Sequence, residues 1–166
     1  MNAKKINLYS LAFIMSILLG FSSCISPEEA NVNSVEIIQT YEYNEFELLT
    51  LKLINDYRVS IGLNTIEPIS HISSLCSDHN NYMISSNVVG HDNFAQRQQN
   101  LHLTLGALKV GENVAFNFDD CSLLVEAWIN SPPHREKIEG DFTHFGISVS
   151  QNELNQKFYT NIFIKK

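Results

Sequence analysis

The sequence predicts an α+β sandwich, helices packed on an antiparallel sheet, and three observations predict it. Three stretches, at 46–61, 72–83 and 121–128, space their apolar residues by three and four, as one face of a helix does. Three others alternate apolar and polar residues, as strands do: "VGENVAFNF" (110–118), 145–149 and "KFYTNIFI" (157–164). The polar run "QNELNQ" (151–156) joins the last two as a hairpin. Helices and an antiparallel sheet within one domain's worth of chain give that class.

The first helix carries Phe46, Leu49, Leu53, Tyr57 and Ile61 on one face, with Ile54 widening it. Asn44 and Glu47 are spaced as a capping pair, and Gly62 is placed to end the helix. The second starts near Pro68, since proline suits a first helical turn, and its stripe is Ile72, Leu75, Cys76, His79, Tyr82 and Met83. His79 therefore reads as a buried histidine with a hydrogen-bond partner. "SSNVVGHDNF" (85–94) is a loop carrying His91, and "FAQRQQNLHL" (94–103) is a short helix. Val114, Phe116 and Phe118 alternate as a strand. Asp119 and Asp120 cap the next helix, whose face is Cys121, Leu124, Val125 and Trp128. "SPP" (131–133) stops it, and "HREKIEG" (134–140) is a turn or a single helical turn. Phe145, Ile147 and Val149 alternate as a strand, and the last strand is apolar on both faces, which suits the middle of a sheet. Phe116, Trp128 and Phe145 are core by periodicity.

Residues 1–23 read as a targeting segment. "MNAKK" is basic and "LYSLAFIMSILLGF" (8–21) is uncharged. That run is shorter than the about 20 residues of a membrane span and has the length of a signal-peptide core. "SSC" follows, and small residues before Cys24 resemble the lipobox of bacterial lipoproteins, with Phe21 where Leu is usual. Lipidation at Cys24 and an ordinary secretory signal cleaved nearby are the two readings, and the first is the expected one. Residues 24–43 read as an acidic, polar tether in which only "VEII" can add a short strand. "SPEE" after the cysteine resembles the surface-export tags of some lipoproteins. The folded domain is expected over 44–166.

With 11 Lys and Arg against 18 Asp and Glu, the chain has a formal net charge of −7. No basic stripe exists to neutralise phosphates, which argues against nucleic acid as a partner. It argues equally against docking on anionic lipid through protein charge. Beyond Cys24 the cysteines are Cys76 and Cys121, both on apolar stripes. In an exported protein they form either a disulfide or two buried thiols.

Five segments in order carry a resemblance: "LINDYR" (53–58), "GH" (90–91), "GEN" (111–113), "EAWINSPPHR" (126–135) and "FGISV" (145–149). The set resembles the CAP superfamily (cysteine-rich secretory proteins, antigen 5 and pathogenesis-related proteins), also called the SCP domain. It is most similar to the short bacterial form, whose hallmark reads W-x-x-S-P-x-H-R. The resemblance implies an α-β-α sandwich with one open cleft holding two histidines and two acids. His91 and His134 match the histidines, and Glu112 matches the "GEN" glutamate. Ser131 stands where the second acid usually lies, and Pro133 replaces a common glycine.

The resemblance implies that Glu112 faces two imidazoles across the cleft. Otherwise it is a clasp on backbone amides. His91, His134 and Glu112 together suit zinc, with Glu112 a third ligand or an orienter of the histidines. The function expected is that of an exported, lipid-anchored binding module of the cell envelope, on the outer membrane or cell surface, or else periplasmic or secreted. Its ligand would be a lipid, a glycan or a protein. The alternative is a hydrolase using the same cleft. No G-x-S-x-G or H-E-x-x-H occurs. Pro132 and Pro133 are expected to direct Ser131 away from His134. His71, His102 and His144 have no motif and read as surface or loop residues.

Overall fold

The structure is a computed structural model, and it describes residue 37 and residues 40–166. Helix α1 (Glu45–Ser60) begins with the expected reciprocal cap. The Asn44 side chain accepts from the Glu47 amide, and the Glu47 carboxylate accepts from the Asn44 amide, each at 2.9 Å. Ile61 closes the helix and Gly62 follows at φ +82°, a backbone state that suits glycine.

The buried face of α1 differs from the apolar stripe. Glu47, Thr50, Leu51, Ile54 and Arg58 are buried, whereas Leu49 and Ile61 are exposed and Phe46, Leu53 and Tyr57 are only partly covered. Two polar anchors turn the helix. The Glu47 carboxylate accepts from the Val149 amide at 2.8 Å. The Arg58 guanidinium donates to the carbonyls of Asn64, Ile138 and Gly140 at 2.9, 2.6 and 3.0 Å. Buried polar groups must be satisfied, and here that need outweighs a few apolar contacts.

Strand β1 (Glu67–Pro68) comes next, so Pro68 lies in a strand rather than in a helix. The Asn55 amide holds it in place, bonding both the N–H and the C=O of Ile66. Helix α2 (Ser70–Ser86), α3 (Phe94–Leu105), strand β2 (Lys109–Phe116), α4 (Cys121–Asn130), α5 (Pro132–Ile138), β3 (His144–Gln151) and β4 (Lys157–Lys165) complete the order. The sheet runs β1-β3-β4-β2. It is antiparallel except that β1 lies parallel to β3, Glu67 opposite His144, so the sheet is mixed rather than antiparallel throughout.

Helices cover both faces. On one, α1, α4 and α5 bury Ile54, Leu124, Trp128 and Ile138 against Phe145, Ile147, Tyr159 and Phe163. On the other, α2 and α3 bury Ile72, Cys76 and Leu101 against Ile162 and Ile164. This is the predicted α-β-α sandwich, with β4 central as expected. The four-residue face of α4 is buried as predicted, and Asp120 caps that helix.

Three side chains fall elsewhere than expected. Phe116 is at the exposed end of β2, stacked edge-on against Phe158 rather than in the core. Tyr82 is exposed and reaches Asp92. His71 is buried, with Nε2 2.7 Å from the Asn100 amide oxygen. Cys76, in the cluster under α2 and α3, and Cys121, at the start of α4 on the other face of the sheet, are both buried free thiols, and no disulfide joins them. Cys24, the targeting segment and most of "VEII" lie outside the described residues; Ile37 is in no strand.

Candidate functional site

Strand β2 is the edge of the sheet, and "GEN" sits on it. Successive side chains of a strand point to opposite faces. Glu112, opposite Ile162, faces α2 and α3; Asn113, opposite Asn161, faces α4 and α5. The two neighbours anchor the two histidines from either side. Glu112 Oε1 accepts from His91 Nδ1 at 2.9 Å, and Asn113 Nδ2 donates to the His134 carbonyl at 3.0 Å. Gly111 is the third member because a Cβ there would come within 3.0 Å of Lys137 and 3.1 Å of Phe142.

The main partner of Glu112 is a residue that the motif does not contain. Arg97, on α3, donates from Nε to Oε2 at 2.7 Å and from Nη2 to Oε1 at 2.8 Å. This fork on a carboxylate is the strong form of such a pair. Burial alone would raise the Glu112 carboxyl, but the hydrogen bonds of His91 and Arg97 and the Arg97 charge outweigh it, so the group sits below its ordinary value. It is ionised near neutral pH, and His91 donates Nδ1–H to it.

His91 lies in the loop between α2 and α3, exposed but clamped on both sides. His79 Nε2 donates to the Gly90 carbonyl at 2.8 Å; burial keeps the His79 imidazole below its ordinary value, hence neutral. Arg97 donates to the Asp92 carbonyl at 2.8 Å, and the Tyr82 hydroxyl bonds the Asp92 carboxylate at 2.9 Å. His79 thus is the buried, partnered histidine expected.

Ser131 closes α4 and opens α5, and Pro132 and Pro133 fill the first turn of α5, where a missing N–H costs nothing. The prolines stop one helix by starting another. They do not separate Ser131 from His134: the helical turn brings Ser131 Oγ to 2.8 Å from His134 Nδ1. Burial first, then the charges of His91 and Lys137, push the His134 imidazole below its ordinary value.

The resulting cleft has a volume of about 330 Å³, lined by His91, Phe94, Val110, Gly111, Glu112 and Lys137. Ser131 and His134 are not among its walls. A larger cavity, 450 Å³ beside Arg58 and Lys165, holds none of the predicted site residues. Among the described residues no group of three or more His, Cys, Asp or Glu side chains is placed to hold a metal. Both oxygens of Glu112 are occupied, by His91 and Arg97. Reading "FAQRQQNLHL" for period could have found Arg97, since Arg97 and Leu101 are four apart and are the buried pair of α3.

Residues 51–163 match the family described as the cysteine-rich secretory protein family, CAP. The chain belongs to the CAP family. A curated relative is an uncharacterized membrane protein, YlbC, of Bacillus subtilis, 29% identical over a 148-residue alignment that covers 86% of this chain. This chain spans 40% of that relative's length. Solved structures show the same CAP fold. An outer surface protein of Borrelia burgdorferi superposes with a TM-score of 0.68 at 19% identity, covering 76% of this chain and 96% of that one. An extracellular SCP-domain protein of Bacillus anthracis gives 0.63 at 23% identity over 76% of this chain and 45% of its own. A cysteine-rich secretory protein of Staphylococcus aureus gives 0.62 at 24% identity, over 73% of this chain and 38% of that one. No described helix of this CAP chain is long and apolar enough to cross a membrane.

Proposed function

We propose that this CAP protein is an exported binding module of the cell envelope, anchored through lipid on Cys24, that holds its ligand at the cleft His91 lines, with the His134 ring as a second contact outside its walls. One observation carries the reading. Each imidazole uses Nδ1 on a protein partner, His91 on Glu112 and His134 on Ser131, and among the described residues neither Nε2 has a hydrogen-bond partner. Two rings held this way are preorganised to present Nε2 to a ligand. The names of the relatives, an outer surface protein and an extracellular one, support the location.

Zinc fits this donor set as a weakly held ion. The imidazoles would be its protein ligands, and Glu112 would orient His91 from behind, as carboxylates do behind metal-bound histidines. A bound zinc supplies a polarising charge and open positions for water or a ligand's oxygen. Arg97 keeps Glu112 ionised, and so keeps the His91 proton on Nδ1.

A second reading, a hydrolase, is favoured by the contact between Ser131 and His134. Against it, among the described residues no carboxylate bonds the His134 ring, so they form a pair rather than a triad. The test is calorimetric titration of zinc at about pH 7.5 and again near pH 5.5, below the ordinary imidazole value of about 6.5. Heat at the higher pH that is lost in acid, in His91→Ala and in His134→Ala, is the expected result. Binding unaffected by both variants would leave Glu112 as a structural clasp. Turnover of ester or peptide substrates abolished by Ser131→Ala would favour the hydrolase.

A further inference from the structure

The two edges of the sheet are treated differently. Along β3, Phe145, Ile147 and Val149 turn their backbone groups away from β4, and each residue has at least one of them met. The Phe145 carbonyl accepts from Ile69, the Ile147 amide donates to Ser73 Oγ, and the Val149 amide donates to Glu47. Open edges invite strand pairing, and covering one is the usual remedy.

Along β2 the ladder to β4 uses the odd-numbered residues, a phase fixed by the bond from the Asn117 amide to the Lys157 carbonyl. Val110, Glu112 and Val114 therefore turn their N–H and C=O groups outward. Trp128 Nε1 donates to the Val114 carbonyl at 3.2 Å and closes the edge there. Among the described residues nothing bonds the outward backbone groups of Val110 and Glu112. Both residues line the cleft with His91.

We infer that the cleft takes an extended peptide, which adds as a short fifth strand to the free edge of β2 at Val110 and Glu112 and sets an acidic side chain beside Lys137. The inference rests on the ligand-cleft reading above for its place in the fold. Donor and acceptor groups repeating every second residue are complemented by another extended backbone and by little else. Trp128 limits the pairing to about three or four residues, about 10–13 Å at the strand rise. Charge selects the side chain. The cleft of this acidic protein holds His91 and Lys137, and its one carboxylate, Glu112, is already answered by Arg97. Lys137 has only a long contact, 3.6 Å, with its neighbour Glu136.

The probe is a fluorescein-labelled peptide, Thr-Val-Glu-Val-Thr, titrated by anisotropy with a chelator present. Its backbone amides are N-methylated in one alternate set or the other, and in a further version Lys replaces Glu. One methylated set should abolish binding and the other spare it, and the Val110 and Glu112 amides should gain exchange protection. Val110→Pro removes an outward N–H without touching the ladder to β4, and should weaken binding about tenfold. Lys137→Glu tests the charge without the backbone, and should reverse the preference between the Glu and Lys peptides. Equal tolerance of both methylated sets, or protection elsewhere, overturns the inference. Protection of the same amides that rises with protein concentration and needs no peptide overturns it in favour of a second copy. Peptide binding that persists in the chelator and in His91→Ala upholds the inference even if zinc never binds; loss of zinc binding alone counts only against the reading above.

Discussion

Replacing Arg97 by Leu leaves Glu112 buried, with His91 as its one remaining partner. Two hydrogen bonds to the carboxylate vanish, and so does the bond to the Asp92 carbonyl. The side chains of the pair are only 9% and 2% exposed, so water does not replace what is lost. Breaking a buried pair from one side costs about 3–5 kcal/mol. At about 4 °C per kcal/mol for a domain of this size, the melting midpoint should fall by about 12–20 °C. The loss should depend on pH. In the wild type the Glu112 carboxyl lies below its ordinary value, so its stabilisation is present above the unfolded value of about 4.3 and disappears as pH falls through the folded one. In the variant, burial without Arg97 puts the carboxyl above the unfolded value, so its penalty holds at neutral pH and is relieved in acid. The gap between the proteins should therefore be widest near pH 7 and narrower near pH 4. Differential scanning calorimetry at both pH values measures it, and adding Glu112→Gln to the variant should recover part of the loss. A gap equal at both pH values, or a variant melting with the wild type, would refute the reasoning.

Trp128→Ala should cost about 3–5 kcal/mol, because the buried ring leaves a cavity and the Val114 carbonyl loses its donor; a wild-type urea midpoint would show that the ring is not core. Cys76 and Cys121 should be silent to a thiol reagent in the folded protein and react once it is unfolded, since both are buried and burial holds the Cys76 thiol well above its ordinary value. Rapid labelling of either in the native state would contradict this. His79 and His134 are both held below the ordinary imidazole value, so the unfolded chain binds protons first, and stability is lost as pH falls from about 6.5 through their lowered values. His79→Gln should flatten part of that decline in chemical denaturation, and an unchanged slope would count against burial as its cause.

The helical faces that carry only apolar residues were legible in the sequence. Cys121, Leu124, Val125 and Trp128 are buried as their spacing says. Helix α1 was legible in its caps but not in its orientation, because Glu47 and Arg58 find their partners far along the chain, at Val149, Ile138 and Gly140. Periodicity carries no record of partners so distant. The same is true of β1, two residues whose pairing depends on Asn55 and on the edge of β3. At the candidate site the motif drew attention to Glu112 and both histidines, but the carboxylate's main partner came from an unremarkable polar helix. The closeness of Ser131 and His134 is hidden for a simpler reason. Two prolines that stop one helix also open the next, and that helix turns His134 back over Ser131.

Ser131 belongs to two helices at once. Its amide donates to the Trp128 carbonyl and its own carbonyl accepts from the Arg135 amide, so each helix holds it by one backbone hydrogen bond. The joint has no slack. From the buried indole of Trp128 to the ring of His134 the chain is a single stiff bracket, and His134 inherits its position from the hydrophobic interior. His91 is held differently, in a loop, by separate side chains from α2, α3 and β2. Altered selectivity should therefore be sought by changing the loop around His91, while changes between Trp128 and His134 will register as lost foldedness before they register as altered recognition.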